Sequence, residues 1–343
     1  MVNSPQPIQD ELPWPASDLE QVSACPFCAS PARTVGYRDV QDWSFGTAAG
    51  KWTYWQCSQC HALYLDPRPN EMSVGRAYGQ YYTHGSGQSG RGLQSLKLRL
   101  KNEFWFHAFG IDSTPRLSVP GWGGGILKML QPWITVPFGW RQLADGPKGL
   151  LIDVGCGNGD TLRVAGQLGW QALGIELDAS AVGAARQRGL NVVQGGYEML
   201  AQYQGAADCV VCSHVLEHVH HPLRLLKLLA DALKPNGLLL ISAPNASSYL
   251  RDHYGEHWRG LEAPRHLAIP DAAWLVSALR SAGFDCQQIA SYDGPMATES
   301  ERIQRRGDVP IRADVKAGAL IVRMATKPSL DKQDLVQVVC FKM

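Results

Sequence analysis

The sequence predicts an α/β protein with a parallel sheet, preceded by a small metal-binding module. From Gly149 onward, short apolar strands alternate with helical patterns, and this alternation is typical of a parallel sheet with right-handed crossovers. A glycine-rich turn separates the first of these strands from its helix. Two Cys-x-x-Cys pairs, Cys25/Cys28 and Cys57/Cys60, lie near the N-terminus and have the spacing of metal-binding knuckles.

Length and composition indicate a globular protein with a real core. The 343 residues suggest about two domains. The balance of 32 basic against 31 acidic residues argues against a large nucleic-acid-binding surface. The polar, proline-bearing N-terminus resembles neither a signal peptide nor a presequence, and we expect no membrane span. Nine cysteines, four of them in close pairs, favour reduced thiols and a cytoplasmic location.

The four paired cysteines predict a structural Zn²⁺ site. Strands around a glycine turn between the two pairs make a small zinc ribbon, which has too little core to fold without its metal. Four sulfur ligands leave no open position for a catalytic water, so the expected role of the zinc is structural. His61 as a substitute ligand and redox chemistry by either pair are the alternatives. The predicted metal ligands are Cys25, Cys28, Cys57 and Cys60.

The glycine-rich turn predicts a binding loop for a nucleoside cofactor. The apolar run from Leu150 to Val154 breaks into Gly155, Gly157 and Gly159. Glycines allow a turn this sharp and let a ligand lie against main-chain N–H groups. The next strand ends at Glu176, and a carboxylate there can accept hydrogen bonds from both hydroxyls of a ribose.

A strand ending in Asp153 followed by Gly-x-Gly-x-Gly resembles the first motif of class I S-adenosylmethionine (SAM) methyltransferases. The dinucleotide fingerprint fits less well, because Asp160 stands where its third glycine belongs. Related enzymes often have an aspartate for the adenine amino group where this chain has Gly196, so Glu198 or a backbone carbonyl would replace it. The resemblance implies these cofactor-binding residues: Asp153, Gly155, Cys156, Gly157, Asn158, Gly159, Glu176, Leu177, Asp178, Gly196 and Ser213.

Two further motifs narrow the resemblance. Residues 215–218 read Val-Leu-Glu-His after the fourth strand, and residues 258–267 read W-x-G-L-x-x-P-R-H-L after a Pro-Asn turn. Together with the glycine loop they look like the methyltransferase-23 type of bacterial enzyme, whose members often carry an N-terminal CxxC…CxxC module. The resemblance implies a Rossmann-like seven-stranded SAM-methyltransferase sheet with a small N-terminal zinc ribbon. It also implies a small-molecule, glycan or natural-product acceptor.

The expected chemistry is in-line methyl transfer to an oxygen acceptor, with C- and N-methylation left open. Positioning of the acceptor supplies much of the rate, and an oxygen acceptor benefits from a histidine base. His266, His214 and His218, in this order, are the candidate catalytic residues. Arg265, Asn245 and Trp258 are the candidate substrate-binding residues.

The same reading divides the chain into four segments. Residues 1–22 are expected to be a flexible tail and residues 23–83 a zinc-ribbon-like module. Residues 84–148 are expected to form a linker and an aromatic helical cap, and residues 149–343 a SAM-dependent methyltransferase domain. Leu93 to Phe109 has a basic, aromatic helical pattern with Leu96 and Phe104 on one face.

Two other functions fit parts of the sequence. An RNA methyltransferase that uses the ribbon to bind RNA is supported by the basic run Lys97 to Lys101 and by Arg302, Arg305 and Arg306. The near-neutral charge, and a fourth-strand motif unlike the Asn/Asp-Pro-Pro-aromatic motif, make nucleic acid the weaker partner. A non-catalytic zinc-ribbon protein with a vestigial SAM fold is the other alternative. Peripheral membrane contact through the aromatic cap and the oligomeric state stay open.

Overall fold

The computed structural model describes residues 14–78, 93–117, 119, 136–146, 148–289, 294–306 and 330–343. The chain forms two compact units. The first unit contains Met1–Tyr82, Cys212–Ala230 and Ile241–Met343, and the second contains Thr83–Val211 and Asp231–Leu240. This grouping places the N-terminal module in the same unit as the C-terminal part of the chain. The division into four segments stays a prediction.

The strands of the described residues form three sheets. In chain order they are β1 Leu19–Glu20, β2 Arg33–Val40, β3 Trp52–Cys57, β4 Leu63–Leu65, β5 Arg68–Pro69, β6 Leu150–Val154, β7 Gln171–Glu176, β8 Val192–Gln194, β9 Ala207–Ser213, β10 Leu233–Pro244, β11 Ala268–Ile269, β12 Phe284–Ile289 and β13 Leu335–Lys342. The helices are α1 Leu93–Phe109, α2 Trp140–Asp145, α3 Asp160–Gln167, α4 Ala179–Gln187, α5 Pro222–Ala232, α6 Tyr249–Tyr254, α7 Ala272–Ser281 and α8 Gly294–Arg306.

The largest sheet confirms the predicted fold class. It has seven strands in the order β12-β13-β10-β9-β6-β7-β8. β6 pairs with β7 and β7 pairs with β8 in parallel, as the alternation of strands and helices predicted. β13 pairs antiparallel with β12. β12 forms the edge of the sheet, and β13 lies one strand in from it.

In the second unit, β6 is buried on both faces from Leu151 to Val154, which is typical of a central parallel strand. The buried face of α3 contributes Leu162, Val164 and Ala165. The tight turn between β6 and α3 is therefore held between two packed elements, and this fixes the glycine loop in place.

The predicted helix from Leu93 to Phe109 is confirmed as α1. Its predicted face is only partly right, since Phe104 is buried whereas Leu96 is 45% exposed. The ring of Trp105 packs on Trp140 with centroids 4.6 Å apart, so these aromatic side chains serve the core of the second unit. Trp122 and Trp133 lie outside the described residues.

The N-terminal module is built on an antiparallel sheet with the order β11-β4-β3-β2. β2, β3 and β4 match the strands expected around the two cysteine pairs. β11 was not predicted: Ala268 pairs with Tyr64 and Ile269 with Leu63. A segment that follows the Pro-Arg-His-Leu motif thus completes the sheet of a module located 200 residues earlier in the chain.

Parts of the expected tail and linkers can be compared with the structure. Residues 1–13, 84–92 and 307–329 lie outside the described residues. Leu19 and Glu20, which belong to the expected tail of residues 1–22, pair with Pro69 and Arg68 in a two-stranded sheet. Among the helices that the structure describes, none combines the length and the apolar character that a membrane crossing needs.

One disulfide departs from the expectation of reduced thiols. Cys286 on β12 and Cys340 on β13 are directly opposite each other in the antiparallel register, and they form a disulfide with their Cα atoms 4.1 Å apart. The sequence alone did not reveal this pairing, because it depends on the register of two strands that are 54 residues apart.

Candidate cofactor and active-site residues

The glycine loop between β6 and α3 has the backbone conformation that its sequence predicts. Gly155, Gly157 and Gly159 have φ angles of 68°, 54° and 81°, a left-handed region that favours glycine. The Gly155 amide donates to the Ile175 carbonyl over 2.8 Å, which ties the loop to β7. A Cβ at Gly159 would lie 2.4 Å from Cδ1 of Leu190, so this position also needs glycine for space.

Glu176 lies against the glycine loop at the end of β7. Its Oε2 accepts a hydrogen bond from the Gly157 amide over 2.8 Å, and its Oε1 accepts one from the Asp178 amide over 2.9 Å. The carboxylate is half-buried and acceptor-only when ionised. Its position beside the loop is the one that a carboxylate for ribose hydroxyls requires.

Asp153 and Cys156 are buried beneath the loop. Burial, with the nearby charge of Glu176 as the second cause, raises the pKa of Asp153 to about 8. Burial also raises the pKa of the Cys156 thiol to about 12, so this thiol is neutral at pH 7. A Cβ at Gly174 would lie 2.4 Å from Sγ of Cys156. Both side chains therefore shape the floor of the loop.

The remaining predicted cofactor residues in the second unit differ in their exposure and in their hydrogen-bond partners. Leu177 is 72% exposed, an unusual position for a large apolar side chain. Asp178 accepts from the Ser180 amide over 2.8 Å and caps the N-terminus of α4. Asn158 accepts from the Asp160 amide. Gly196 lies beside Glu198, because a Cβ there would be 2.5 Å from the Glu198 carboxylate.

In the first unit, an exposed histidine is paired with a buried carboxylate immediately after β9. Ser213 is the last residue of β9. His214 has φ 56°, and its Nδ1 is 3.2 Å from Oε1 of Glu217. The His214 side chain is 46% exposed, whereas that of Glu217 is fully buried. Although burial alone raises the pKa of Glu217, the hydrogen bond from His214 and the nearby imidazoles lower it to about 2.

His218 and His266 form the inner part of the same cluster. Nδ1 of His218 is 3.0 Å from the Tyr78 hydroxyl and 3.1 Å from the Arg265 carbonyl. Nδ1 of His266 is 2.6 Å from the Gly260 carbonyl. The two rings meet edge to face with centroids 4.7 Å apart. His266 is 5% exposed, and burial lowers its pKa to about 4 despite the opposing effect of Glu262.

Arg265 is fully buried in an ion-pair network. It makes a bidentate contact with Asp42, and its Nε is 3.0 Å from Oε1 of Glu262. Nη1 also donates to the carbonyl of Ala77. Asp42 in turn accepts from the amide of Thr47, in the connection between β2 and β3. The guanidinium therefore joins the Pro-Arg-His-Leu motif to the N-terminal module.

The other two predicted substrate-binding residues also lie in the interior of the first unit. The Asn245 side chain donates to the Gln333 carbonyl over 2.7 Å and accepts from the Ala272 amide over 3.1 Å. Trp258 is 1% exposed, and its Nε1 donates to Asp334 over 3.0 Å. A substrate-binding role for Arg265, Asn245 and Trp258 stays a prediction, and the structure gives each of them partners within the protein.

The four predicted zinc ligands come together. All their sulfur atoms lie within 4.8 Å of one another, and Cys25–Cys60 and Cys28–Cys57 are each 3.5 Å apart. In a tetrahedral Zn²⁺ site with bonds of about 2.3 Å, the sulfur atoms are about 3.8 Å apart. The Gln59 amide also donates to the Cys57 sulfur, as in a metal-binding knuckle. These residues fit a tetrahedral metal.

Sequence reasoning missed three partners of the predicted site residues. Asp42, Glu262 and Tyr78 contact Arg265 or His218 directly. Glu262 has a usable sequence signal, since it lies three residues before Arg265 and within the same motif. Asp42 and Tyr78 have none, because only the folded chain brings Asp42 to Arg265, 223 positions away, and Tyr78 to His218, 140 positions away.

The parallel sheet, the left-handed glycine loop after its first strand and the carboxylate at the end of its second strand define a class I SAM-dependent methyltransferase domain. Residues 138–289 match the Methyltransf_23 family model, described as a methyltransferase domain. Residues 138–289 are therefore similar to the methyltransferase domain that this family model describes.

Known relatives and structures are similar to parts of the chain. A ubiquinone biosynthesis O-methyltransferase of Xanthomonas campestris pv. campestris (strain B100) is 35% identical over 106 residues, which is 29% of this chain and 44% of that protein. The protein of the same name from Xanthomonas axonopodis pv. citri (strain 306) is 35% identical over 149 residues, covering 41% and 62%. The chain thus spans less than two thirds of the length of either relative.

Among solved structures, a SAM-dependent methyltransferase from Archaeoglobus fulgidus is 19% identical, with coverage of 63% of this chain and 92% of that chain and a TM-score of 0.40. An S-adenosylmethionine-dependent methyltransferase from Mesorhizobium loti is 20% identical, covering 60% and 97% with a TM-score of 0.41.

Proposed function

We propose that this protein is a SAM-dependent methyltransferase that methylates an oxygen atom of a small molecule, such as a glycan or natural-product intermediate. One observation carries the proposal: the left-handed glycines of the loop after β6 lie directly beside the carboxylate of Glu176. A loop of bare backbone next to an acceptor-only side chain suits a cofactor with an amino-acid end and a ribose.

The residues of the second unit would hold SAM. The loop amides would receive its amino-acid end, and Glu176 would exchange its bonds with backbone amides for bonds with the ribose hydroxyls. The exposed side chain of Leu177 offers an apolar surface for the adenine ring. Asp153 and Cys156, which are buried beneath the loop, and Gly159 within it would stabilise the conformation of the loop. When bound, SAM supplies a methyl group activated by its sulfonium charge.

An oxygen acceptor is proposed because of the relatives and of the histidine cluster. The two Xanthomonas proteins are named as O-methyltransferases. A hydroxyl acceptor must lose a proton, which requires a base with a free lone pair and access to the acceptor. The sequence resemblance extends the acceptor class to glycans and natural products, and these are therefore tested beside simple phenols.

His214 is the proposed base. Its Nδ1 faces the carboxylate of Glu217, which favours the tautomer with a proton on Nδ1 and leaves the lone pair on Nε2. The half-exposed imidazole is accessible, whereas His266 is buried and its low pKa makes it a weak proton acceptor. For this reason we rank His214 ahead of His266, the reverse of the order suggested by the sequence, and place His218 with His266 in the inner cluster.

The cysteine cluster is proposed to hold a structural Zn²⁺. The four sulfur atoms can satisfy all four positions of a tetrahedral zinc, so its role is to fold the N-terminal module. Metal analysis is expected to find about one zinc per chain at this site.

The proposed cofactor site is tested by SAM binding. Calorimetry with the full chain is expected to show at least about a tenfold loss of SAM affinity in Glu176→Ala, because a charged hydrogen bond contributes roughly 1.5–3 kcal/mol. Asp285→Ala, which removes an exposed carboxylate on β12, is the control and should bind like the wild type. Equal affinities of the Glu176 variant and the wild type would exclude the ribose assignment.

The acceptor class is tested with SAM that carries a deuterated methyl group. Hydroxylated small molecules, glycans and RNA are incubated separately with the wild-type chain, and products are analysed by mass spectrometry. Label on an oxygen of a small molecule or glycan supports the proposal. Label on RNA alone would replace it with the RNA methyltransferase function.

A further inference from the structure

A second group of metal-ligand side chains lies apart from the four cysteines. Glu217 and His218 come from the short helical turn Leu216–His218, and His266 comes from the Pro-Arg-His-Leu motif. One ligand atom from each of the three lies within 4.8 Å of the others. All three residues belong to the first unit. Two imidazoles and one carboxylate thus converge on one volume.

Each imidazole is oriented as a metal ligand would be. Nδ1 of His218 faces the Arg265 carbonyl at 3.1 Å, and Nδ1 of His266 faces the Gly260 carbonyl at 2.6 Å. Because a carbonyl can only accept, Nδ1 carries the proton in the tautomer of each ring that satisfies these bonds, and at His218 the Tyr78 hydroxyl, 3.0 Å from Nδ1, then accepts from the same N–H. The lone pair of each ring is then on Nε2. A backbone carbonyl bonded to one nitrogen while the other ligates is the usual arrangement of metal-binding histidines.

Glu217 supplies an unsatisfied acceptor. Its Oε1 faces His214, whereas its Oε2 is buried and has no hydrogen-bond partner among the residues that the structure describes. A buried carboxylate oxygen without a donor is costly in free energy, and a cation is one way to satisfy it.

A second pair of acceptors points to the same need for a cation. Nε2 of His266 is 3.7 Å from Oε2 of Glu262. With the proton of His266 on Nδ1, both of these atoms are acceptors. The Glu262 carboxylate is already held by Arg259 and Arg265, so it does not compete as a ligand. A positive ion bound to Nε2 of His266 would relieve the unfavourable contact.

We propose that Glu217, His218 and His266 bind a divalent transition-metal ion, in a site separate from the cysteine site, and metal binding there can be measured without any methyltransferase assay. The donor set of two imidazoles and one carboxylate suits Zn²⁺, Fe²⁺ or Co²⁺ better than Mg²⁺ or Ca²⁺, which prefer oxygen ligands. Three protein ligands leave coordination positions open for water or for an oxygen of a bound molecule. His218 is half-buried, so the ion can enter from its side of the cluster.

Cobalt titration of the metal-free full chain separates the two sites. Co²⁺ bound by four thiolates gives an intense charge-transfer absorption, whereas Co²⁺ bound by nitrogen and oxygen gives only weak visible bands. The wild type is expected to bind about two Co²⁺ ions, one of each spectroscopic type. Glu217→Gln and His218→Ala are expected to bind only the thiolate-type ion.

His221→Ala is the matched control. This histidine lies three residues after His218, its side chain is 57% exposed, and it is outside the cluster, so both ions should be retained. The thiolate band also reports in each variant that the N-terminal module is folded. A wild type that binds only the thiolate-type ion, or a second ion retained in both Glu217→Gln and His218→Ala, would overturn the proposal.

Discussion

At the scale of single residues, His214 combines backbone strain with an oriented side chain. A φ of 56° is uncommon for a residue other than glycine, and such outliers cluster at functional sites. The conformation is held by the bond from the His214 amide to the Ser242 carbonyl over 2.9 Å and by the contact with Glu217. The strain is therefore maintained by the end of the sheet.

The role of His214 as a base predicts a specific kinetic defect. In His214→Gln, which keeps a polar side chain but removes the base, kcat is expected to fall about 100-fold or more, because general-base catalysis contributes roughly 10²–10⁴-fold. The dissociation constant of SAM should not change, since the glycine loop and Glu176 belong to the second unit and His214 to the first. Turnover and calorimetry on the same preparation measure both. A kcat close to that of the wild type would remove His214 from the mechanism.

At the same scale, Arg265 has protein partners that its motif does not indicate. The sequence suggested an anion-binding arginine, which stays a prediction, and in the structure the side chain pairs with Asp42 and Glu262 in the interior. Removing one partner of a buried ion pair leaves an uncompensated charge, which typically costs about 3–5 kcal/mol. The buried position of Arg265 is therefore explained by its ion pair with Asp42, which joins the Pro-Arg-His-Leu motif to the N-terminal module. No local pattern could reveal Asp42 as the partner.

At the scale of elements, two glycines distinguish the two reasons for which a position can require glycine: a positive φ angle and a lack of room for a Cβ atom. Gly159, before α3, and Gly189, after α4, have φ angles of 81° and 77°. A Cβ at Gly159 would meet Leu190 at 2.4 Å, whereas a Cβ at Gly189 would meet nothing within 4 Å. The two positions thus share the same cost in φ, and only Gly159 adds a steric one.

Alanine at these positions is expected to have unequal effects. Gly189→Ala should lower the free energy of unfolding by about 1–2 kcal/mol through φ alone. Gly159→Ala should add a further loss of about 1–3 kcal/mol from overpacking, and SAM binding should be lost with the shape of the loop. Denaturant unfolding and calorimetry measure the two effects. Equal destabilisation by both variants would show that Leu190 moves aside without cost.

The elements that the sequence predicted are those with strong local signals. β6 and β7 are apolar runs bounded by glycines and acids, and α1 was predicted from Leu93 to Phe109, as observed. β11 could not be predicted, because its two residues form a strand only by pairing with β4. The cofactor loop could be predicted because its signal, a run of alternating glycines, is local. The partners of the histidine cluster could not be predicted, because they come from distant segments of the chain.

At the scale of the whole molecule, the first unit joins segments that are far apart in sequence. The Tyr54 hydroxyl on β3 shares its single hydrogen between the carbonyls of Leu261 and His266, which both lie within hydrogen-bond distance. The Leu65 amide on β4 donates to the Leu267 carbonyl over 3.1 Å. With β11 and the Arg265–Asp42 ion pair, these bonds attach residues 258–269 to the sheet of the cysteine module. The order of this segment therefore depends on that sheet.

This dependence predicts that loss of the zinc site loosens the motif. In Cys28→Ser/Cys57→Ser, the module would lose the proposed zinc, and a module of this size lacks a sufficient core of its own. Hydrogen–deuterium exchange of residues 258–269 is expected to rise about tenfold or more, which corresponds to a local loss of roughly 1.4 kcal/mol. The substitution is preferred to a chelator, which would also remove an ion from the histidine cluster.

The internal reference for this experiment is β13, which is paired with β12 and linked to it by the Cys286–Cys340 disulfide. Its exchange should stay close to that of the wild type, because none of its backbone pairing with β12 involves the cysteine module. Faster exchange in residues 258–269 alone means that the module orders the motif directly. Equal increases in both segments would instead mean that the first unit unfolds as a single body, and unchanged exchange in residues 258–269 would show that the motif keeps its order without the zinc.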